Sequence, residues 1–191
     1  MFRNMLAMVA VTVLATSAAN AGVLPVLIIV DNTDPTNVTF NATGAAAAVT
    51  DNSASIVGGI SLLDLFSGAG FNTSGSQTIG GDLSPSGNTG AYNRILNDIG
   101  TLGTTGLNLW GSGVGGGQDF NTTDPAFTGM TTGFDFSGAT FNLSGNIVIG
   151  DTAGIPGSGA VLGTWTLIPT PGAICLFALA GLTGTRRRRR A

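Results

Sequence analysis

Histidine, lysine and glutamate are absent from all 191 residues, and the chain has one cysteine, one tyrosine and two tryptophans. Without histidine or lysine, a serine lacks the bases that ordinarily make it a nucleophile. The lack of histidine, with the one cysteine far downstream at Cys175, disfavours a transition-metal site. It also leaves residues 22 to 168 without a thiol, so that stretch folds with no disulfide and no cofactor is expected. The glycine-rich GSGVGGGQD at 111 to 119 has no P-loop lysine and reads as a flexible turn. Positive charge is nearly missing as well. Residues 22 to 168 hold Arg94 as their one cation against ten aspartates, a net of −9. Such a surface is soluble and repels phosphate backbones, so nucleic acid is not an expected partner.

What basic charge exists is concentrated at the ends. MFRNMLAMVAVTVLATSAANA opens with Arg3, continues with an apolar run from Met5 to Ala15 and closes on small residues. Charged, apolar and small regions in that order make a secretory signal peptide over residues 1–21. Ala19 and Ala21 form the small-x-small cleavage box, and Gly22 is the expected mature start. An uncleaved anchor is the competing reading, against which the apolar run is short for a span.

The last 23 residues, PTPGAICLFALAGLTGTRRRRRA, form a second unit, 169–191. Thr170 suits a helix N-cap and Pro171 the first helical position. A helix from Pro171 to Thr185 would rise roughly 22 Å at 1.5 Å per residue, against a hydrocarbon core about 30 Å thick. Snorkelling arginines and local thinning shorten that gap. Arg186, Arg187, Arg188, Arg189 and Arg190 would stop transfer on the cytoplasmic side and complement the helix dipole. The segment is therefore expected to be a thin, temporary transmembrane helix. An ordinary tail anchor is the second reading.

A proline pair at the membrane boundary, a short apolar helix and a terminal arginine cluster together resemble the PEP-CTERM sorting signal of bacterial exported proteins. The box here is Pro169-Thr170-Pro171-Gly172, with threonine where that family usually has glutamate. The resemblance covers this tail and says nothing about the residues before it. It implies an exosortase-type membrane enzyme as the processing partner, transient anchoring in the inner membrane, and final placement at the cell surface or outside the cell. It also implies association with exopolysaccharide or biofilm.

Residues 22–168 are the exported cargo, long enough for one domain with a core of its own. They hold 28 of the 31 glycines, and each interior glycine weakens a helix by roughly 1 kcal/mol relative to alanine. Threonine, valine, isoleucine, phenylalanine, asparagine and serine dominate the remainder and favour strands and turns. VLPVLIIV (23–30) reads as a buried strand, with Pro25 restricting it to an edge or a bend. Val38, Phe40 and Ala42 share a face, as do Leu107 and Leu109, and Val161, Trp165 and Leu167. ISLLDLF (60–66) alternates around Asp64, and 134–151 breaks into short strands at Ser-Gly turns. The fold expected is all-β, a single antiparallel β-sandwich of jelly-roll type. In AYNRILNDIG, Tyr92, Ile95, Leu96 and Ile99 recur at i, i+3, i+4 and i+7, which predicts one short helix. A pentapeptide recurs without a fixed period: FNATG (40–44), FNTSG (71–75), FNLSG (141–145) and the near match FDFSG (134–138). It reads as a strand end in which Phe packs inward, Asn or Asp starts a turn and Gly takes a positive φ. Asn37, Asn41, Asn72, Asn121 and Asn142 stand in glycosylation sequons, weak signals in so Asn- and Thr-rich a chain.

No catalytic residue and no metal site are expected. The leading reading is a non-catalytic surface or matrix protein. The alternative is a carbohydrate-binding module in which Trp110, Tyr92 or Trp165 stacks on sugar rings, although core packing suits Trp165 better. A third reading, a glycoside hydrolase with Asp119 and Asp124 as its dyad, competes with the role of Asp124-Pro125 and Asp34-Pro35 as turn starters. Calcium at DNTD (31–34) or DFNTTD (119–124) is a minor possibility, since the D-x-D-x-D-G loop is absent.

Overall fold

The computed structural model describes residues 22–68, 70–97, 102–152, 155–156 and 159–168. The strands are β1 (Val26–Asp31), β2 (Thr39–Ala42), β3 (Ile60–Leu62), β4 (Gln77–Thr78), β5 (Ser84–Pro85), β6 (Arg94–Leu96), β7 (Leu107–Trp110), β8 (Phe127–Thr128), β9 (Ser144–Ile149), β10 (Asp151–Thr152), β11 (Ile155–Pro156) and β12 (Val161–Ile168). Eight of them form one sheet in the order β2-β1-β12-β9-β3-β7-β6-β4, and β5 with β8 and β10 with β11 make small pairs. The large sheet is mixed and curls into a half-barrel.

The open side of the curl is bridged by residues 127–134. On one flank they bond β2: the Thr131 amide donates to Phe40 O at 3.0 Å, and Val38 and Phe134 exchange backbone bonds of 2.9 and 3.0 Å. On the other they bond the continuation of β4, where Thr132 N donates to Gly80 O at 2.8 Å and Asp82 N donates to Met130 O at 2.9 Å. Single bridges extend this ribbon at a nearly constant register: Ala46 with Pro125, Asp51 with Phe120 and Ser55 with Gly117. The two ends of the strand order are thus joined through one shared segment, which leaves fewer backbone groups for another chain to pair with.

The all-β expectation holds, and two of its details are corrected. The sheet is not purely antiparallel and does not split into the two facing sheets of a sandwich. β1 lies parallel to β12, with Val26 opposite Thr164 and Asp31 opposite Ile168. Nor is there a helix among the described residues. In the stretch predicted to be helical, β6 pairs with β4 on one side and β7 on the other. Asn93 and Asn97 decide this. Asn93 Nδ2 donates to Ser112 O at 3.0 Å while its Oδ1 accepts the Ser112 amide at 2.7 Å. Asn97 Oδ1 accepts the Thr73 amide at 2.8 Å, and its Nδ2 donates to Phe71 O. These side chains bond backbone on other segments, which an isolated helix cannot offer them. Ile99 lies outside the described residues.

Pro25 is not inside a strand at all. It precedes β1, and its carbonyl accepts from the Thr164 amide at 2.8 Å. β1 is accordingly an interior strand and not an edge. The alternations predicted for β2 and β7 do face the core, with Val38, Phe40, Leu107 and Leu109 buried. In β12 Trp165 is buried and Leu167 packs on the core, but a bulge between Val161 and Gly163 breaks the alternation and leaves Val161 at a surface groove.

The core is rich in rings. Phe136 stands at the centre of one cluster, 4.8 Å from Phe134, 5.2 Å from Phe71, 5.6 Å from Phe66, 5.9 Å from Phe141 and 6.2 Å from Phe40 by ring centroids. The leading phenylalanine of every pentapeptide, at 40, 71, 134 and 141, therefore packs on Phe136. The expected inward turn of this residue is met in all four copies. The glycine role is not uniform: Gly44 and Gly75 have φ of 77° and 101°, whereas Gly138 and Gly145 lack a positive φ. At Gly145 the requirement is close approach. A Cβ there would run into Leu63 O and lie 2.7 Å from Trp165 Nε1. A second ring cluster joins Phe127 to Phe120 at 5.3 Å and to Tyr92 at 6.3 Å.

Candidate functional site

The residues expected to act in sorting lie mostly outside the described part: Ala19 and Ala21, the box Pro169, Thr170, Pro171 and Gly172, and the cluster Arg186 to Arg190. Gly22 is described and is exposed. What the fold determines is where those two labels attach. β12 is paired on both sides, with β1 and with β9, and Ile168 is bonded at its very end, where the Asn32 amide donates to its carbonyl at 3.3 Å. Residue 169, where the expected tail begins, therefore follows directly on a strand that has a partner on each side. Because β1 and β12 run parallel, residue 22 lies toward one end of that strand pair and Ile168 at the other. Seven residue steps of about 3.3 Å separate Val161 from Ile168, roughly 23 Å.

The three candidate sugar-stacking rings are divided by burial. Trp165 and Tyr92 are inaccessible. Trp165 Nε1 donates to Leu63 O at 3.0 Å, and the Tyr92 hydroxyl donates to Gln118 Oε1. The Gln118 amide in turn donates to Gly59 O at 2.9 Å and Ser55 O at 3.2 Å. This is a fully satisfied interior network, and burial holds the Tyr92 phenol well above its usual pKa. Trp110 alone is half-buried. Its cross-strand partner is Arg94, which is opposite Thr78 in turn, so the three side chains share one face. Arg94 Nη1 donates to Thr78 Oγ1. The Trp110 indole nitrogen has no hydrogen-bond partner although it is sealed from solvent.

The aspartates serve turns. Asp31 Oδ1 accepts the Thr33 amide at 3.0 Å, Asp34 Oδ1 the Thr36 amide at 2.9 Å and Asp51 Oδ1 the Ser53 amide at 2.8 Å. Asp135 Oδ1 accepts from Ser137 N at 2.9 Å, and this bond, with one to the Ser137 side chain, lowers the carboxyl pKa. Asp124 Oδ2 accepts from Asn121 Nδ2 at 3.0 Å. Asp119 and Asp124 are both exposed, and neither lines the two grooves described below. No three acidic or thiol side chains converge on a common point among the described residues. Of the sequon asparagines, Asn37 and Asn72 are exposed, Asn72 Oδ1 accepts the Ser74 amide at 2.6 Å, and the amide nitrogens of Asn41, Asn121 and Asn142 are engaged in hydrogen bonds.

Two surface grooves stand out. One, of about 510 Å³, is lined by Asn37, Thr39, Gly81, Asp82 and residues 130 to 133. Its polar groups are already committed: Asp82 Oδ1 accepts the Met130 amide at 2.9 Å, and Thr132 Oγ1 accepts the Gly80 amide at 2.8 Å. The second, of about 620 Å³, lies where the chain enters β1 and β12 and is lined by Gly22, Val23, Leu24, Pro25, Ala48, Val49, Ala160 and Val161. None of these side chains is ionisable. Comparison with family models, with curated proteins and with solved structures found no match to this chain.

Proposed function

We propose that this chain is an exported, non-catalytic structural protein of the bacterial cell surface or extracellular matrix. In this reading the leader is cut before Gly22, and the tail anchors the domain in the inner membrane until an exosortase-type enzyme acts at Pro169 to Gly172. The domain then joins exopolysaccharide outside the cell. The supporting observation is the attachment of the tail. A sorting segment joined directly to an interior strand ties membrane retention to the most extensively paired part of the fold. The use of aspartates as turn caps also fits a domain whose polar residues are spent on its own backbone.

The test is fractionation of cells producing the intact chain or a chain with all five arginines, Arg186 to Arg190, changed to Gln. Retention at the surface and a mature C-terminus near Pro169, read by mass spectrometry, are expected of the intact chain only. Identical fates for the two chains would overturn the sorting role.

The pairing of Arg94, Thr78 and Trp110 on one face favours a second reading, a carbohydrate-binding module. Here the ring stacks on a sugar face and the guanidinium donates to its hydroxyls. On this reading Trp110→Ala abolishes retention on a glycan array, and unchanged retention would remove that face from consideration.

A further inference from the structure

Six large apolar side chains are exposed among the described residues: Val23, Val26, Val49, Met130, Leu143 and Ile168. Five of them are sorted to the two ends of the β1–β12 pair. Val23, 99% exposed, and Val49 line the uncharged groove of about 620 Å³ where those strands begin, with Val26 beside them at the start of β1. Leu143, 63% exposed, and Ile168 stand where the strands end. They are close along the fold there, because the amide of Leu167, the residue before Ile168, donates to Leu143 O at 2.9 Å. One end thus has an apolar groove, and the other carries two exposed apolar side chains, here termed the knob.

We infer that these ends are the two halves of a head-to-tail contact between copies of this chain, the Leu143–Ile168 knob of one copy entering the Val23–Val49 groove of the next. A contact between different surfaces of identical subunits does not close on itself, so it propagates as a filament unless its rotation makes a ring. The electrostatics favour end contacts. Residues 22 to 168 carry a net −9, so copies repel one another where their aspartates face, whereas the groove has no ionisable lining. Cleavage before Gly22 would add an α-ammonium at the groove, and Asp31 sits opposite Ile168 at the knob. Each copy would then bring a positive end to a negative one. The apolar surface involved is a few side chains per copy, which suits a weak contact that matters at matrix concentrations.

The inference rests on the structural reading above and adds the geometry of assembly. It also orders events. The tail begins at Pro169, directly after the knob residue Ile168, so a membrane-anchored copy holds its knob against the bilayer and offers only its groove. Tail removal frees the knob.

The absence of any cysteine from residues 22 to 168 makes the test clean. In a Cys175→Ser background, Val23→Cys and Leu143→Cys are introduced together in the full-length chain, and the surface fraction is oxidised. A ladder of cross-linked multimers is expected from the double variant, and no ladder from either single variant. Co-expressed single variants are expected to stop at mixed dimers. Val49→Asp, which puts a charge in the groove, added to the double variant should remove the ladder while leaving surface retention unchanged. Absence of the ladder from surface-retained double variant would overturn the head-to-tail contact and leave the sorting reading standing. Dimers of Val23→Cys alone in place of a ladder would overturn it in favour of a symmetric pair, and cross-linking to lipid-anchored chains only would assign the knob to the membrane. Loss of retention in the intact chain would instead remove the sorting reading itself.

Discussion

Two halves of this domain reach rigidity by different means. In the first, β1, β12, β9, β3 and β7 are held by multi-residue ladders, with bulges between Val26 and Ile28 and between Val161 and Gly163, and by aliphatic side chains such as Ile28, Ile60, Leu109 and Ile147, each inaccessible to solvent. In the second, residues 38–55 and 117–141 touch through isolated bridges, with turn side chains bonded to backbone. Phe136 stands there at the centre of a six-phenylalanine cluster that also draws in Phe66 and Phe71, in place of interdigitated aliphatics. The first half is what strand propensity alone would build. The second shows that a glycine- and asparagine-rich segment becomes a barrel wall when its few large side chains converge on one point.

The sharpest way to break this comparison is to remove the centre of each half. Phe136 belongs to no strand, yet Phe136→Ala should cost about 3–5 kcal/mol, the same range as Trp165→Ala in the regular half. Urea midpoints measure both. A loss under about 1 kcal/mol at Phe136 would mean that the bridged half is held by its backbone and not by its rings. Next in size is Gly145→Ala. Its Cβ would strike a backbone carbonyl and the Trp165 indole, so a loss of roughly 1–3 kcal/mol with a change in tryptophan fluorescence is expected.

Tyr92→Phe should cost about 1–3 kcal/mol by leaving Gln118 Oε1 unpaired in the interior. The same residue sets an alkaline limit. Burial raises the folded pKa of Tyr92 above the ordinary 10.0, so the folded state keeps a proton that the unfolded chain releases. Stability is therefore intact below pH 10 and falls as the pH climbs above it. As Tyr92 is the one tyrosine, phenolate absorbance should appear only together with unfolding, and Tyr92→Phe should flatten the alkaline limb. The smallest effect belongs to the exposed Asp135. Its folded pKa is lowered from 3.8 by the Ser137 hydrogen bonds, so its contribution is present above that value and is lost as the pH falls through the lowered pKa. Asp135→Asn keeps the turn acceptor and should remove only that part of the acid dependence of Tm.

Legibility in the sequence followed the same division. β2 and β7 show their buried faces in the spacing of Val38 and Phe40 and of Leu107 and Leu109, whereas the bulge between Val161 and Gly163 breaks the spacing predicted for β12. The pentapeptides showed inward phenylalanines without showing that all four meet on Phe136, since nothing local in FDFSG distinguishes its second ring from its first. The 92–99 stretch misled because three or four apolar residues fit a helix and a strand alike. Asn93 and Asn97 settle it only through Ser112, Thr73 and Phe71, which are distant in sequence. Trp110 was singled out as a stacking ring, but its neighbour Arg94 was not, because the cross-strand register that joins them is invisible to periodicity.

By itself the amino-acid sequence determined the class of the fold, the anionic surface of residues 22 to 168, and the lack of disulfides, since these depend on which residues are present and on their local spacing. Tertiary structure alone decided that β1 and β12 lie parallel, that the curled sheet is bridged by residues 127–134, and that Tyr92 and Trp165 are sealed inside while Leu143 and Val23 face outward at opposite ends. The physical reason is that pairing partners, close approaches and burial are properties of segments far apart in the chain. No window of neighbouring residues contains them.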